Sequence, residues 1–174
     1  MREAWEAIPG VTLTRPTAHA DGRGFFVEVF REQELGTRFV QANHSRSRAG
    51  VLRGLHYHRH QADAWYVVSG TAQVGLADMR DSASRPTVAT VELTGGDPAT
   101  LLIPPGVAHG FLALTDLDLV YWVTHLYDSS DEFSVAWDDP LLQVPWARRD
   151  PVLSDRDATA PPLPQPAEGG SRGP

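Results

Sequence analysis

The chain has 174 residues, no cysteine and a formal net charge of −7. The missing cysteines exclude a disulfide framework, a thiolate metal site and a cysteine nucleophile. The negative charge argues against nucleic acid or an anionic membrane as the main partner. A 41% hydrophobic and 21% charged composition suits one soluble globular domain with a sizeable core. In chain order, β-type runs are expected at 25–30, 39–43, 51–57, 64–69, 71–79, 87–93, 100–103, 110–114, 119–127 and 133–137, with one short helix at 32–39. Turn signals separate them, among them Asp21-Gly22, Ser69-Gly70, Gly95-Gly96-Asp97-Pro98 and Pro104-Pro105-Gly106. Short strands at this spacing predict an all-β sandwich or barrel. Residues 158–174 are rich in proline and lack apolar periodicity, so a domain over 1–160 and a disordered or loosely packed tail over 161–174 are expected. No signal core stands at the N-terminus and no apolar run approaches the roughly 18 residues that span a bilayer. A cytoplasmic location is therefore the expectation.

The run Arg53-Gly54-Leu55-His56-Tyr57-His58-Arg59-His60-Gln61-Ala62-Asp63 carries most of the chemistry. In a strand, residues two apart share a face, so His56 and His58 point the same way. Arg53 has the opposite parity. For Arg53 and His56 to reach one pocket, the strand needs a bulge or bend near Gly54. A rigid turn, Pro104-Pro105-Gly106, delivers His109 to the start of a later strand. Leu119, Tyr121, Val123, His125 and Tyr127 alternate along one strand face. That pattern fits a core face as readily as a catalytic one, although a tyrosine can donate a proton. By itself, the cluster Ser154-Asp155-Arg156-Asp157 reads as solvated charge.

Several motifs occur together: Asp21-Gly22-Arg23-Gly24-Phe25-Phe26-Val27-Glu28, Phe39-Val40-Gln41-Ala42-Asn43-His44-Ser45, Val51-Leu52-Arg53-Gly54-Leu55-His56-Tyr57, Ile103-Pro104-Pro105-Gly106-Val107-Ala108-His109-Gly110-Phe111, Trp137-Asp138-Asp139-Pro140 and Leu153-Ser154-Asp155-Arg156-Asp157. This series resembles the dTDP-4-dehydrorhamnose 3,5-epimerase family of cupin-like proteins, from about residue 10 to about residue 160. The resemblance implies a cupin-type jelly-roll barrel with a short C-terminal extension, a homodimer, no cofactor, and a dTDP-linked 4-keto-6-deoxyhexose as substrate. It implies His56 as general base, Asp157 as its carboxylate partner and Tyr121 as proton donor. It implies substrate contacts from Arg23, Glu28, Gln41, Asn43, Arg53, His109, Tyr127, Glu132 and Arg156. These residue types fit epimerisation beside a ketone. A histidine titrates near neutrality and can accept an acidified α-proton, and arginines grip a diphosphate through paired hydrogen bonds.

The chain departs from the family at Asp63, where the family carries a lysine. If that lysine stabilises enolate charge, its loss removes roughly 3–4 kcal/mol. Gly50, His56, His58, Asp63 and Gly70 instead reproduce the spacing of the metal-binding cupin motif, with Asp for Glu, and His109 takes the place of the second motif's histidine. His56, His58, Asp63 and His109 thus form an alternative ligand set for one divalent transition metal. The readings that stand beside an epimerase are a metal-dependent cupin isomerase or oxygenase, and a non-catalytic sugar-nucleotide-binding protein.

Overall fold

A computed structural model describes residues 2–4, 7–81 and 85–164. Among the described residues, thirteen strands, two short α-helices and one 3-10 turn (Ser129–Asp131) are arranged as two antiparallel sheets facing each other, with a separate hairpin. The strands are β1 (Arg2–Ala4), β2 (Thr12–Thr14), β3 (Ala18–Asp21), β4 (Gly24–Val27), β5 (Gln41–Ser47), β6 (Leu52–Tyr57), β7 (Asp63–Ser69), β8 (Thr71–Asp78), β9 (Val88–Thr94), β10 (Thr100–Ile103), β11 (Val107–Ala113), β12 (Leu117–Val123) and β13 (Phe133–Ser134). The helices are α1 (Glu32–Leu35) and α2 (Asp155–Ala158). One sheet has the order β1-β2-β10-β7-β12-β5 and the other β13-β6-β11-β8-β9, while β3 and β4 pair only with each other. This is the expected all-β jelly roll.

The main core lies between the sheets. Trp65, Val74, Leu76, Leu101, Phe111 and Leu119 are among its buried members. Each fully buried Leu, Ile or Val contributes about 1.5–3 kcal/mol. The outer face of the five-stranded sheet is covered by the C-terminal segment, where Leu142 and Val144 pack with Leu55, Ala77 and Ala108. The outer face of the other sheet is covered by Leu35 of α1, packed with Ala64 and Leu102. Both layers leave one end of the barrel free for a cavity.

Most expected strands appear, with shifted ends. The helix expected over 32–39 is one turn long, because Gly36 adopts φ 72° and closes it as a left-handed cap. The strand expected over 119–127 ends at Val123, and the rest runs on as loop. Strands β1, β2 and β3 were not anticipated; β3 reads Ala-His-Ala-Asp, is fully exposed and has no apolar alternation. Helix α2 lies inside the cluster read as solvated charge. Of the segment expected as a tail, Pro161 accepts a hydrogen bond from the Ala136 N–H (2.9 Å) and the Leu163 N–H donates to buried Asp139 (2.6 Å). Residues 165–174 lie outside the described residues.

The bend expected near Gly54 is present as a bulge. His56 pairs with His109 and Arg53 with Phe111, so Gly54 and Leu55 together oppose the single residue Gly110. The two backbones touch here. A Cβ on Gly54 would stand 2.6 Å from the Gly110 Cα, and Gly54 has φ 120°. Replacing Gly54 with alanine adds backbone strain to a steric clash and is expected to cost at least about 2 kcal/mol. Urea denaturation of Gly54→Ala against the parent chain checks this; an unchanged midpoint would refute the tight contact.

Candidate active site

The open end of the barrel holds a cavity of about 720 Å³. Residues from both sheets line it. Arg53 and His56 come from β6, His109 from β11, Tyr121 from β12, and Gln41 and Asn43 from β5. Alternation on β5 and β12 places Gln41 and Asn43, and Tyr121 and Val123, inward. The β6 bulge does the same for Arg53 and His56 despite their opposite parity.

His56 and Asp157, 101 positions apart, meet at 2.7 Å between Nε2 and Oδ1. A carboxylate only accepts, so Nε2 carries the hydrogen and Nδ1 is left as the basic atom of the neutral ring. The C-terminal segment reaches His56 because it docks along β6. The Leu52 N–H donates to the Val152 carbonyl (3.0 Å), and the Val152 N–H donates to Gly50 (2.8 Å). Ser154 then caps α2. Its hydroxyl accepts from the Asp157 N–H (3.1 Å) and donates to Asp157 Oδ2 (2.9 Å). Asp157 is 4% exposed. Burial pushes its carboxyl up, but the hydrogen bond and charge of His56, the Ser154 hydroxyl and the Gly54 N–H outweigh burial and hold it below the ordinary value.

Tyr121 stands on the opposite sheet, between Asn43 and Trp65 in the strand register. Burial pushes its phenol above the ordinary value. The charges of Asp63 and Glu132 push it further, and Arg53 opposes them. The phenol therefore stays protonated at neutral pH. Arg53 is the one arginine among the described residues lining the cavity. Its Nε donates to the Ser47 hydroxyl (3.0 Å) and its Nη2 to the Arg46 carbonyl (3.3 Å), which fixes the guanidinium plane.

At the mouth, Tyr127 is exposed and lines the cavity with Glu132. Burial raises the Glu132 carboxyl, but Arg156 and then the Tyr127 hydroxyl outweigh it and keep the group ionised. Arg156 Nη1 lies 2.6 Å from Glu132 Oε1, and its Nη2 donates to Ser134 (3.0 Å). Arg156 is thus beside the cavity rather than in its wall. Arg23 and Glu28 are elsewhere. Arg23 pairs with Asp21 at the tip of the β3–β4 hairpin with its side chain 91% exposed, and Glu28 pairs with Arg31. Within one chain the expected substrate contacts are therefore split between the cavity and a protruding hairpin.

The four-residue ligand set is not assembled. His58, Asp63 and His109 converge, each offering one donor atom within 4.8 Å of the other two. His56 lies outside that group, and its Nε2 is bonded to Asp157. Sequence reasoning missed Asp131, whose carboxylate accepts the N–H groups of Arg59 (2.8 Å) and His60 (3.1 Å) and so shapes the loop after β6. It also missed Ser154. The pattern Ser154-x-x-Asp157, a capping box, was the available signal.

No helix among the described residues is long and apolar enough to cross a membrane. The spore coat polysaccharide biosynthesis protein SpsL of Bacillus subtilis (strain 168) is 41% identical over 145 residues, covering 80% of this chain and 96% of that protein. The dTDP-4-dehydrorhamnose 3,5-epimerase of Shigella flexneri is 37% identical, covering 86% of this chain and 89% of its own length. Among solved structures, the dTDP-6-deoxy-D-glucose-3,5-epimerase of Legionella pneumophila Philadelphia 1, in complex with dTDP-4-keto-L-rhamnose, superposes with a TM-score of 0.85 at 35% identity, covering 93% of this chain and 92% of that one. The family profile described as dTDP-4-dehydrorhamnose 3,5-epimerase matches residues 6–165, nearly the whole barrel and the strap that carries Asp157, so the chain belongs to the dTDP-4-dehydrorhamnose 3,5-epimerase family.

Proposed function

We propose that this chain epimerises a dTDP-linked 4-keto-6-deoxyhexose at C3, C5 or both, by removing a proton beside the C4 ketone and returning one to the opposite face. The observation that carries this reading is the placement of a histidine–aspartate dyad and a protonated tyrosine on opposite sheets of one cavity. His56 Nδ1 takes the carbon-bound proton. Asp157 holds the ring's other nitrogen and stabilises the imidazolium. The electron pair of the broken C–H bond delocalises onto the ketone oxygen. Tyr121 supplies a proton from the other side, which inverts the centre. Such general acid–base catalysis contributes about 10²–10⁴-fold.

The rest of the substrate has matching chemistry nearby. Arg53 suits the diphosphate, and the exposed ring of Tyr127 offers a stacking face for a thymine. One arginine is a thin complement for a diphosphate. The β3–β4 hairpin carries Arg23 together with Phe25 and Phe26, which are 56% and 64% exposed. Apolar side chains this exposed on a protruding hairpin support a homodimer in which each hairpin reaches the cavity of the other copy, bringing Arg23 and Glu28 to the substrate. The chain works in the cytoplasm on this reading, where nucleotide sugars are made.

Incubation with the 4-keto sugar nucleotide in deuterated water, read by NMR, should show deuterium entering C3, C5 or both. A folded protein that leaves both positions unlabelled would sink the proposal. His56→Ala and Tyr121→Phe should each lower the labelling rate at least about tenfold; full activity in either variant removes that residue from the mechanism. The dyad also fixes a pH dependence. Asp157 has a folded pKa below the unfolded value of about 3.9, so its stabilisation is complete above about pH 4 and is lost as pH falls through the folded value. The stability gap between the parent and Asp157→Asn, measured by urea unfolding from pH 6 to 2, should be constant above about pH 4 and shrink below it.

A further inference from the structure

We propose that His58, Asp63 and His109 form a binding site for one divalent transition metal ion, with open coordination positions facing the cavity and with His56 outside the ligand set. Three elements bring the site together. His58 follows the end of β6, Asp63 opens β7 and His109 lies on β11, so both sheets contribute. One donor atom from each lies within 4.8 Å of the others, and Asp63 and His109 are 4% and 6% exposed.

The hydrogen bonds around the cluster leave donor atoms available to a cation. His58 Nδ1 donates to the Asp131 carbonyl (2.8 Å), and His109 Nδ1 donates to the Val107 carbonyl (2.9 Å). A carbonyl can only accept, so each neutral ring is locked with its lone pair on Nε2. Metal-ligating histidines are held in this way. His109 is buried beside Asp63. Its Nε2 stands 3.7 Å from Asp63 Oδ2, too far for a hydrogen bond. Ligands about 2.0–2.2 Å from a tetrahedral ion stand roughly 3.3–3.6 Å apart. The gap therefore suits an ion between the two groups. Asp63 is also oriented from behind, by Gln61 Nε2 at Oδ1 (2.8 Å) and the Trp65 indole N–H at Oδ2 (3.3 Å). Trp65 in turn packs edge-on against the His109 ring, at 5.2 Å between centroids. Two imidazoles and a carboxylate suit Zn²⁺, Co²⁺, Fe²⁺ or Mn²⁺ and leave room for an exogenous oxygen ligand.

The position also suggests what the ion does, and this part rests on the epimerase reading. His56 lies directly across from His109, and Tyr121 lies across from Trp65, two residues from Asp63, so a dication there lies near both proton-transfer groups. When the C–H electron pair moves onto the ketone oxygen, that oxygen becomes anionic, and an open metal position can hold it. His56 stays free to take the proton, because it is not a ligand.

The test uses the full chain, stripped with chelator, dialysed and titrated with Co²⁺. We expect one equivalent per chain and a visible absorption band from the ligand field. Asp63→Asn and His58→Gln should each weaken binding at least about 100-fold, whereas His56→Ala and the double variant His60→Ala/His125→Ala should retain it. His58→Gln lies past the strand end and carries the test if Asp63→Asn does not fold. Less than about 0.1 equivalent bound to the folded parent, or undiminished binding in both ligand variants, would overturn the site. Deuterium exchange into the keto sugar should fall at least about tenfold after chelation and return with metal. Metal-independent exchange would overturn the enolate role. Intact Co²⁺ binding with no exchange under any condition would count against the epimerase reading and leave the metal site standing.

Discussion

The contact between Gly54 and Gly110 is the constraint on which the site depends. A Cβ on Gly110 would stand 2.7 Å from the Arg53 carbonyl, just as one on Gly54 would press into Gly110. Neighbouring strands can pass this closely only where neither has a side chain. The extra residue it accommodates on β6 reverses the inward–outward alternation between Arg53 and His56. A regular strand would put one of them in the cavity and the other on the opposite face. The same bulge keeps His56 directly across from His109, and the Gly54 N–H helps to hold Asp157 ionised. Backbone geometry, base placement and carboxylate electrostatics thus share one origin.

The cavity sets its protonation states through neighbours rather than through burial alone. Asp157 and Glu132 both lose water, yet each has a cation or hydrogen-bond donors sufficient to keep it charged. Tyr121 is partly buried and also faces two of the cavity's carboxylates against only one arginine, so its proton is held more tightly. An ionised acceptor beside the base and a protonated phenol on the far wall are the states that acid–base chemistry at neutral pH requires. Asp63, like Asp157 and unlike Glu132, has no arginine beside it. Its companions are an amide, an indole and two imidazoles, none of them a fixed cation.

The sheet architecture was legible because the strands that build the core alternate or run apolar, and glycine and proline mark their ends. The edge elements were not. β3 carries no apolar residue larger than alanine, and β2 is three residues long, so neither rises above a loop in composition. The bulge was legible from parity and one glycine, but its partner Gly110 was not, since only the fold sets β11 beside β6. The dyad was legible only through family resemblance, because 101 residues separate its members. Arg23 and Glu28 show the converse: their motif is plain in sequence, but a single chain places them outside the cavity. The four-ligand metal spacing failed at His56 because periodicity records which face a side chain takes and not which partner captures it.

The strap that delivers Asp157 has a consequence for the order in which the molecule becomes competent. Among the described residues all thirteen strands are complete by Ser134, whereas Asp157 lies more than twenty positions further along and is held by Val152, Ser154 and a single turn of helix. During synthesis the barrel can close around its cavity while the base still lacks its carboxylate. Activation is then a late event, separate from formation of the core, and it depends on a few hydrogen bonds along the outer edge of β6. A chain interrupted between the barrel and the strap would leave His56 without its carboxylate partner.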